Sequence, residues 1–281
     1  MEDAMRPPLA GVEVVSLAVN LPGPLAAARL AELGATVVKV EPPGGDPLAA
    51  AAPDWYGKLI AAQSVVTLDL KQAADRAKLD ELLATADLLI TSMRPSALAK
   101  LGLAQPQERF PQVSLIEIVG HADDPEVPGH DLNYQAVHGT LLPPAMPTVP
   151  LADMLGAERA VSTALAALVR RAKTGAGQPY RVALEEAAAR AGDAVRYRLT
   201  APGAILGGAF PGYGIYECKD GYVALGAVEP HFFMGALAAF GADGSHAGFR
   251  AAFAERTIAE LEAIAARKDL PLNGINTETG K

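Results

Sequence analysis

Val-Glu-Val-Val-Ser-Leu (12–17), then Pro-Gly-Pro (22–24), then Leu-Ala-Ala-Ala-Arg-Leu-Ala-Glu-Leu-Gly (25–34), then Ala-Thr-Val-Val-Lys-Val-Glu (35–41) decide the fold. The first and last pieces are short, β-branched apolar runs bounded by turn residues, the pattern of strands buried in a parallel sheet. Between them Leu25–Leu33 has helical composition, with Gly34 as its stop signal, and Pro42-Pro43-Gly44-Gly45 ends the second strand. This is strand–helix–strand, and it repeats. Ser64–Leu70, Asp87–Thr91 and Val113–Val119 read as further strands, while Ala73–Ala84 and Pro95–Leu101 read as helices. Strands alternating with helices at this spacing predict an α/β fold, a doubly wound, mainly parallel sheet of Rossmann-like type.

Beyond the sheet, residues 120–150 read as loop with one short helix near Asn133–His138, and Met154–Lys173 as the longest helix, opened by Asp153. Ala183–Leu199 reads as another helix. A Gly- and Pro-rich stretch, 201–214, separates a large domain (1–200) from a small α+β domain (215–281). The latter begins with a hairpin, Gly214–Cys218 and Tyr222–Ala227, followed by two helices. The polar stretch Asn273–Lys281 reads as a frayed tail, and His246, beside Gly244 and Ser245, as exposed loop.

Composition removes several function classes. With 24 basic and 32 acidic residues the net charge is −8, which argues against nucleic acid as a partner. The single Cys218 excludes an intrachain disulfide framework and a Cys-based zinc site, and no His/Asp/Glu cluster has convincing ligand spacing. The first residues are charged and lack an apolar signal core, and no run nears the ~18 apolar residues of a membrane span. The sequence reads as cytoplasmic.

Three segments carry the chemistry: Gly-His-Asp-Leu-Asn-Tyr (129–134), Pro-Leu-Ala-Asp (150–153) and Gly-Ala-Val-Glu-Pro (226–230). Each sets one proton-transfer side chain (His130, Asp153, Glu229) among small or apolar neighbours, where desolvation moves a pKa toward neutrality. Two such groups facing one carbon can take a proton from one side and return one on the other. That is racemisation beside a carbonyl. The bland alternatives are a solvated loop histidine and, for Asp153, an ordinary helix N-cap.

Taken in order, Leu9–Val15, Pro22-Gly23-Pro24 and Leu33–Pro47 (with Lys39-Val40-Glu41-Pro42-Pro43-Gly44-Gly45-Asp46) resemble the N-terminal signature of the class III coenzyme A transferase superfamily. Thr67–Lys71, Met93–Leu98 with Leu101-Gly102-Leu103, and Arg171–Gln178 extend the resemblance over roughly residues 9–270. That family joins CoA-transferases with alpha-methylacyl-CoA racemase, and the racemase branch is the nearer. The resemblance implies an acyl-CoA thioester as substrate and partner, with no cofactor beyond its CoA moiety. It places Asn20, Leu68, Ser92, Met93, Arg94, Lys100 and Asp131 at the CoA site, with Arg94 and Lys100 as phosphate donors. In transferases of the family the Asp at position 153 is a nucleophile. In racemases it is an acid/base together with the residues at 130 and 229.

The racemase reading makes His130 and Asp153 the proton-transfer pair, with Glu229 holding the His130 tautomer. The backbone N–H groups at the start of the Met154 helix would stabilise the enolate oxygen. CoA transfer through Asp153, or a CoA-binding protein without activity, are the rival readings. Residues 140–149 suggest an apolar wall for the acyl group. Two departures weaken the CoA phosphate site: Ala61-Ala62-Gln63-Ser64 stands where the family has a basic cluster, and Pro42 where an arginine is common. Each lost charged hydrogen bond costs ~1–3 kcal/mol of affinity. Family members are longer than this chain, with a C-terminal return to the large domain, and they imply a homodimer, intertwined or open.

Overall fold

The computed structural model describes residues 6–275. Its contacts divide the chain into two units, Met1–Gly192 and Asp193–Lys281. The first holds strands β1 (Glu13–Ser16), β2 (Thr36–Glu41), β3 (Ser64–Thr67), β4 (Leu88–Thr91), β5 (Ser114–Val119) and β6 (Pro179–Ala183). They form one sheet in the order β3-β2-β1-β4-β5-β6, with every pairing parallel. This is the doubly wound arrangement, and the strand order reverses between β1 and β4, where such sheets leave a crevice at their carboxyl ends. Helices α1 (Pro22–Glu32), α2 (Pro47–Ala51), α3 (Pro53–Ile60), α4 (Ala73–Thr85), α5 (Pro95–Lys100), α6 (Asp131–Val137), α7 (Leu151–Thr174) and α8 (Leu184–Arg196) connect and follow the strands.

The period of two along each strand divides the apolar side chains between two cores. Val14, Val37, Ile90 and Ile116 pack on the face that includes Ala160 and Ala164 of α7 and Ala27 and Leu30 of α1. Their chain neighbours Val15, Leu89 and Leu115 pack on the other face with Leu79 and Leu83 of α4. Both faces are covered, so β4 and β5 are buried along their whole length and are mostly apolar, with Glu117 as their one charged residue. Alanines dominate the buried stripe of α7, which lets α1 and α7 approach closely. Gly34 follows α1 at φ +100°, a left-handed position that suits glycine, and its N–H bonds the Ala31 carbonyl.

Three elements of this unit escape the sequence pattern. β6 is an edge strand whose residues Pro179 and Arg181 are exposed, so it lacks the apolar run of the central strands. Pro at its first position removes no ladder bond that an inner strand would need. Helices α2 and α3 begin at Pro47 and Pro53, prolines that act as first-turn residues and not as breakers.

One buried cation organises the front of the sheet. Lys39, on β2, is 0% exposed, and its Nζ lies 2.7 Å from Asp46 Oδ2 and 2.9 Å from the Ala18 carbonyl. Asp46 in turn accepts the backbone N–H of Asn20 and of Leu48, each at 2.9 Å, so it caps α2 and holds the β1–α1 loop at once. The signature run Lys39 to Asp46 is thus a structural clasp. Glu41 accepts a hydrogen bond from the Tyr56 hydroxyl of α3.

The second unit holds an antiparallel sheet, β7 (Tyr213–Cys218), β8 (Gly221–Gly226) and β9 (Leu272–Gly274), with helices α9 (Pro230–Phe240), α10 (His246–Ala254) and α11 (Ile258–Lys268). Its core gathers Tyr216, Val223, Leu225, Phe240, Phe249 and Phe253. Among the described residues there are three helices where two were expected. Gly241 ends α9 in the left-handed conformation, and the Ser245 hydroxyl then caps α10 by accepting the Gly248 N–H. The expected tail is corrected at its start, because Asn273 and Gly274 pair with β8; the rest of it, 276–281, lies outside the described residues. His246 opens α10 half-buried, its Nδ1 3.0 Å from the Tyr216 hydroxyl, and is not exposed loop. The stretch 201–214 includes a wide turn, Ile205–Ala209. Among the described residues no helix is long and apolar enough to cross a membrane.

Candidate active site

The carboxyl ends of β1, β4 and β5 open into a cavity of about 280 Å³ lined by residues of the first unit. Loops after β1 and β4 form its floor. Ser92 Oγ accepts the Val19 N–H at 3.0 Å and donates to the Val19 carbonyl at 3.3 Å, tying the two loops across the reversal of strand order. Asn20 stands there at φ +68°, a left-handed conformation held by the bond from its N–H to Asp46. Asn20, Ser92, Met93 and Arg94 all line the cavity.

The far wall comes from α6 and α7. His130 is the residue that precedes α6, with its backbone N–H fixed by Asn133 Oδ1 at 3.1 Å, and it lines the same cavity. Tyr134, one turn on, brings a buried ring into the lining at 2% exposure. Asp153 completes the set from the first turn of α7. Burial, and then the like charge of Asp131, push the Asp153 carboxyl up to about 7. Near neutral pH such a group both gives and takes a proton. The same neighbourhood raises the Tyr134 phenol, through burial and then Asp153.

The sequence expectation at the head of α7 needs two corrections. The helix begins at Leu151, with Pro150 as N-cap residue, so Asp153 is neither the cap nor the opening residue. The amides of Ala152, Asp153 and Met154 are also not free for an enolate: Asp131 Oδ1 accepts the Ala152 N–H at 2.6 Å and the Asp153 N–H at 3.2 Å, and the Met154 N–H bonds the Pro150 carbonyl. Asp131, expected at the CoA moiety, gives one carboxylate oxygen to α7 and the other to Gln135 of α6.

The other expected residues disperse. Leu68 is 5% exposed and packs in the core beside Val40 and Leu89. Lys100 sits exposed in the last turn of α5. Glu229 belongs to the second unit, as the residue preceding α9. The stretch 140–149 does not line the cavity, and its Leu142 and Met146 are exposed.

Two residues that sequence reasoning passed over matter here. Glu126 accepts the Ser96 backbone N–H at 2.7 Å and its hydroxyl at 2.9 Å. Those bonds, with Arg94 and Lys100 nearby, hold its carboxyl below the ordinary range, so an acid already faces the two expected phosphate donors. Tyr134 is the second; its spacing of four from His130 on a helix was the available signal. Its hydroxyl fits only because two glycines yield room: a Cβ would lie 2.4 Å from it at Gly120 and 2.7 Å from it at Gly129. Gly120→Ala is expected to displace the ring and cost about 1–3 kcal/mol, read as a lower urea midpoint. An unchanged midpoint would show that the ring is not wedged.

Comparison with known proteins agrees with this architecture. The model of CoA-transferase family III matches residues 9–279. A succinate–glutarate CoA-transferase of Agrobacterium fabrum is 30% identical over 252 residues, covering 78% of this chain and 63% of that protein. The human alpha-methylacyl-CoA racemase is 30% identical over 246 residues, covering 80% of this chain and 63% of the racemase. The chain thus spans a little under two thirds of these relatives' length. Among solved structures, a hypothetical protein of Mycobacterium tuberculosis superposes with TM-score 0.80 at 22% identity, covering 97% of this chain and 86% of that one. A CaiB/BaiF family protein of Brucella suis gives 0.78 at 24% identity, covering 97% and 85%. These two speak for the fold. With the cavity at the reversal of strand order and the family model running from residue 9 to residue 279, the chain belongs to CoA-transferase family III.

Proposed function

We propose that this protein binds an acyl-CoA thioester and moves its α-proton, racemising a 2-methylacyl-CoA with His130 and Asp153 as the acid/base pair. The observation that carries the reading is that an imidazole and a carboxyl pushed up to about 7 line one cavity at the carboxyl ends of the parallel strands. The thioester carbonyl acidifies its α-carbon. The His130 imidazole takes that proton, the electron pair passes to the thioester oxygen as an enolate, and the protonated Asp153 delivers its own proton to the carbon. One proton leaves, one returns, and the roles exchange for the reverse direction. Glu229 enters this reading through its family position alone.

This reading assigns the CoA moiety to the cavity that adjoins the first. A second cavity of about 520 Å³, with Leu17, Val40, Pro42 and Leu70 in its wall together with the charged Glu41, Asp69 and Lys71, shares Val19 and Met93 with the first. An apolar slot next to the reversal of strand order suits the nucleoside end, while Arg94 lines the cavity that would receive the thioester. CoA transfer between carboxylic acids is the second reading. The Asp153 carboxyl in the cavity and the transferases among the relatives favour it.

Incubation with a 2-methylacyl-CoA in D2O separates the two. Deuterium is expected at Cα, and His130→Ala is expected to lower its incorporation by on the order of 10²- to 10⁴-fold. Label moving between free acid and thioester with no deuterium at Cα would replace racemisation by transfer.

A further inference from the structure

We propose that Asp131 is a positioning residue for Asp153: its carboxylate, seated on the opening amides of α7, fixes the backbone that carries Asp153 and acts on that side chain as a like charge. The inference rests on the reading of Asp153 as the acid of the proposed reaction. Its basis is the unequal treatment of two neighbouring carboxyls. Three donors occupy the two oxygens of Asp131. Ala152 and Asp153 donate their N–H groups to Oδ1, and Gln135 Nε2 donates to Oδ2 at 2.6 Å. The Asp153 carboxyl accepts no hydrogen bond from described residues of the first unit.

The donor from Gln135 is itself immobilised. Gln135 is 2% exposed, its Nε2 also donates to the Val149 carbonyl at 3.1 Å, and its Oε1 accepts the Thr140 hydroxyl at 3.2 Å. The charge at Asp131 is thus anchored on α6, on the loop before α7 and on α7 itself. Other charged groups packed around α7 are engaged elsewhere. Arg29 of α1 meets Glu32 and Glu158, Glu117 of β5 meets Arg181 of β6, and Glu185 of α8 meets His138. His130, Tyr134 and Arg94 line the same cavity as Asp153. Of these charged and titratable groups only Asp131 both touches the Asp153 backbone and acts on its carboxyl as a like charge.

The test is a titration of the Asp153 carboxyl by NMR in protein labelled with ¹³C-aspartate, the signal assigned with Asp153→Asn. Wild type is expected to titrate near 7. Asp131→Asn keeps an oxygen for the two amides and removes the charge, so the Asp153 signal is expected to move down by roughly one pH unit while burial keeps it above an ordinary aspartate. If Asp131→Asn does not fold, Asp131→Ser, which retains an acceptor suited to a helix start, takes its place. An Asp153 signal that titrates at the wild-type pH in the folded variant overturns the role. Deuterium exchange on the same samples keeps the two ideas apart: a shifted titration with no exchange in wild type supports the positioning and removes the proposed reaction.

Discussion

Asp153→Asn is expected to abolish α-proton exchange, a loss on the order of 10³-fold, and to make the protein more stable at alkaline pH. Both effects follow from one physical fact, a carboxyl pushed up to about 7 by burial and by Asp131. In the unfolded chain the same group titrates near ~3.9. Between those two values the folded state holds a proton that the unfolded state has released. The stabilisation from this group is therefore complete below about pH 4 and is lost as pH rises through 7. Asparagine carries no charge at any pH, so it escapes that penalty, which reaches a few kcal/mol at most. Urea unfolding at pH 5 and pH 8 reads the difference: the variant's advantage is expected to be larger at pH 8. Exchange that survives in Asp153→Asn ends the acid/base assignment. An advantage that does not grow with pH would mean that the carboxyl is not desolvated.

Asp46→Asn is expected to destabilise the protein by about 3–5 kcal/mol, because it leaves a fully buried ammonium without its counter-charge. The asparagine oxygen can still accept the Asn20 and Leu48 amides, so the cost is that of Lys39 and not of a lost cap. A drop of roughly 10 °C in Tm should accompany it. Lys39→Met in the same background removes the orphaned cation and should recover part of the loss; the double-mutant cycle then measures the pair. A cost within ±0.5 kcal/mol for Asp46→Asn would mean that water reaches Lys39.

Much of the first unit was legible before any coordinates, for reasons particular to its residues. Central parallel strands such as Leu88–Thr91 and Ser114–Val119 are buried on both faces, so their sequences are dominated by apolar residues, with Glu117 as the one charge. β6 shows the converse. At the sheet edge only part of it is buried, and Pro-Tyr-Arg-Val-Ala carries no run to recognise. Gly241 and Ser245 split the helices of the second unit by backbone conformation and capping, signals one residue wide.

The site divides along the same line. That His130 and Asp153 are candidates for proton transfer could be read from their neighbours in the chain, because small and apolar residues around an acid or base are visible locally. That they line one cavity depended on β1, β4, β5, α6 and α7 meeting at one end of the sheet. The fate of the α7 amides was hidden as well. They go to Asp131, more than twenty residues earlier in the chain, and a hydrogen bond across that distance leaves no local trace.

What the chain alone determined is its alternation of buried strands and helices, and with it the family, because both are written in short-range apolar periodicity and in turn residues. What only the tertiary structure decided is the protonation chemistry. Lys39 against Asp46, Asp131 on the amides of α7 and the pKa of Asp153 all arise from charges removed from water beside partners that are remote in sequence. Desolvation belongs to the folded volume, and no stretch of residues carries it by itself.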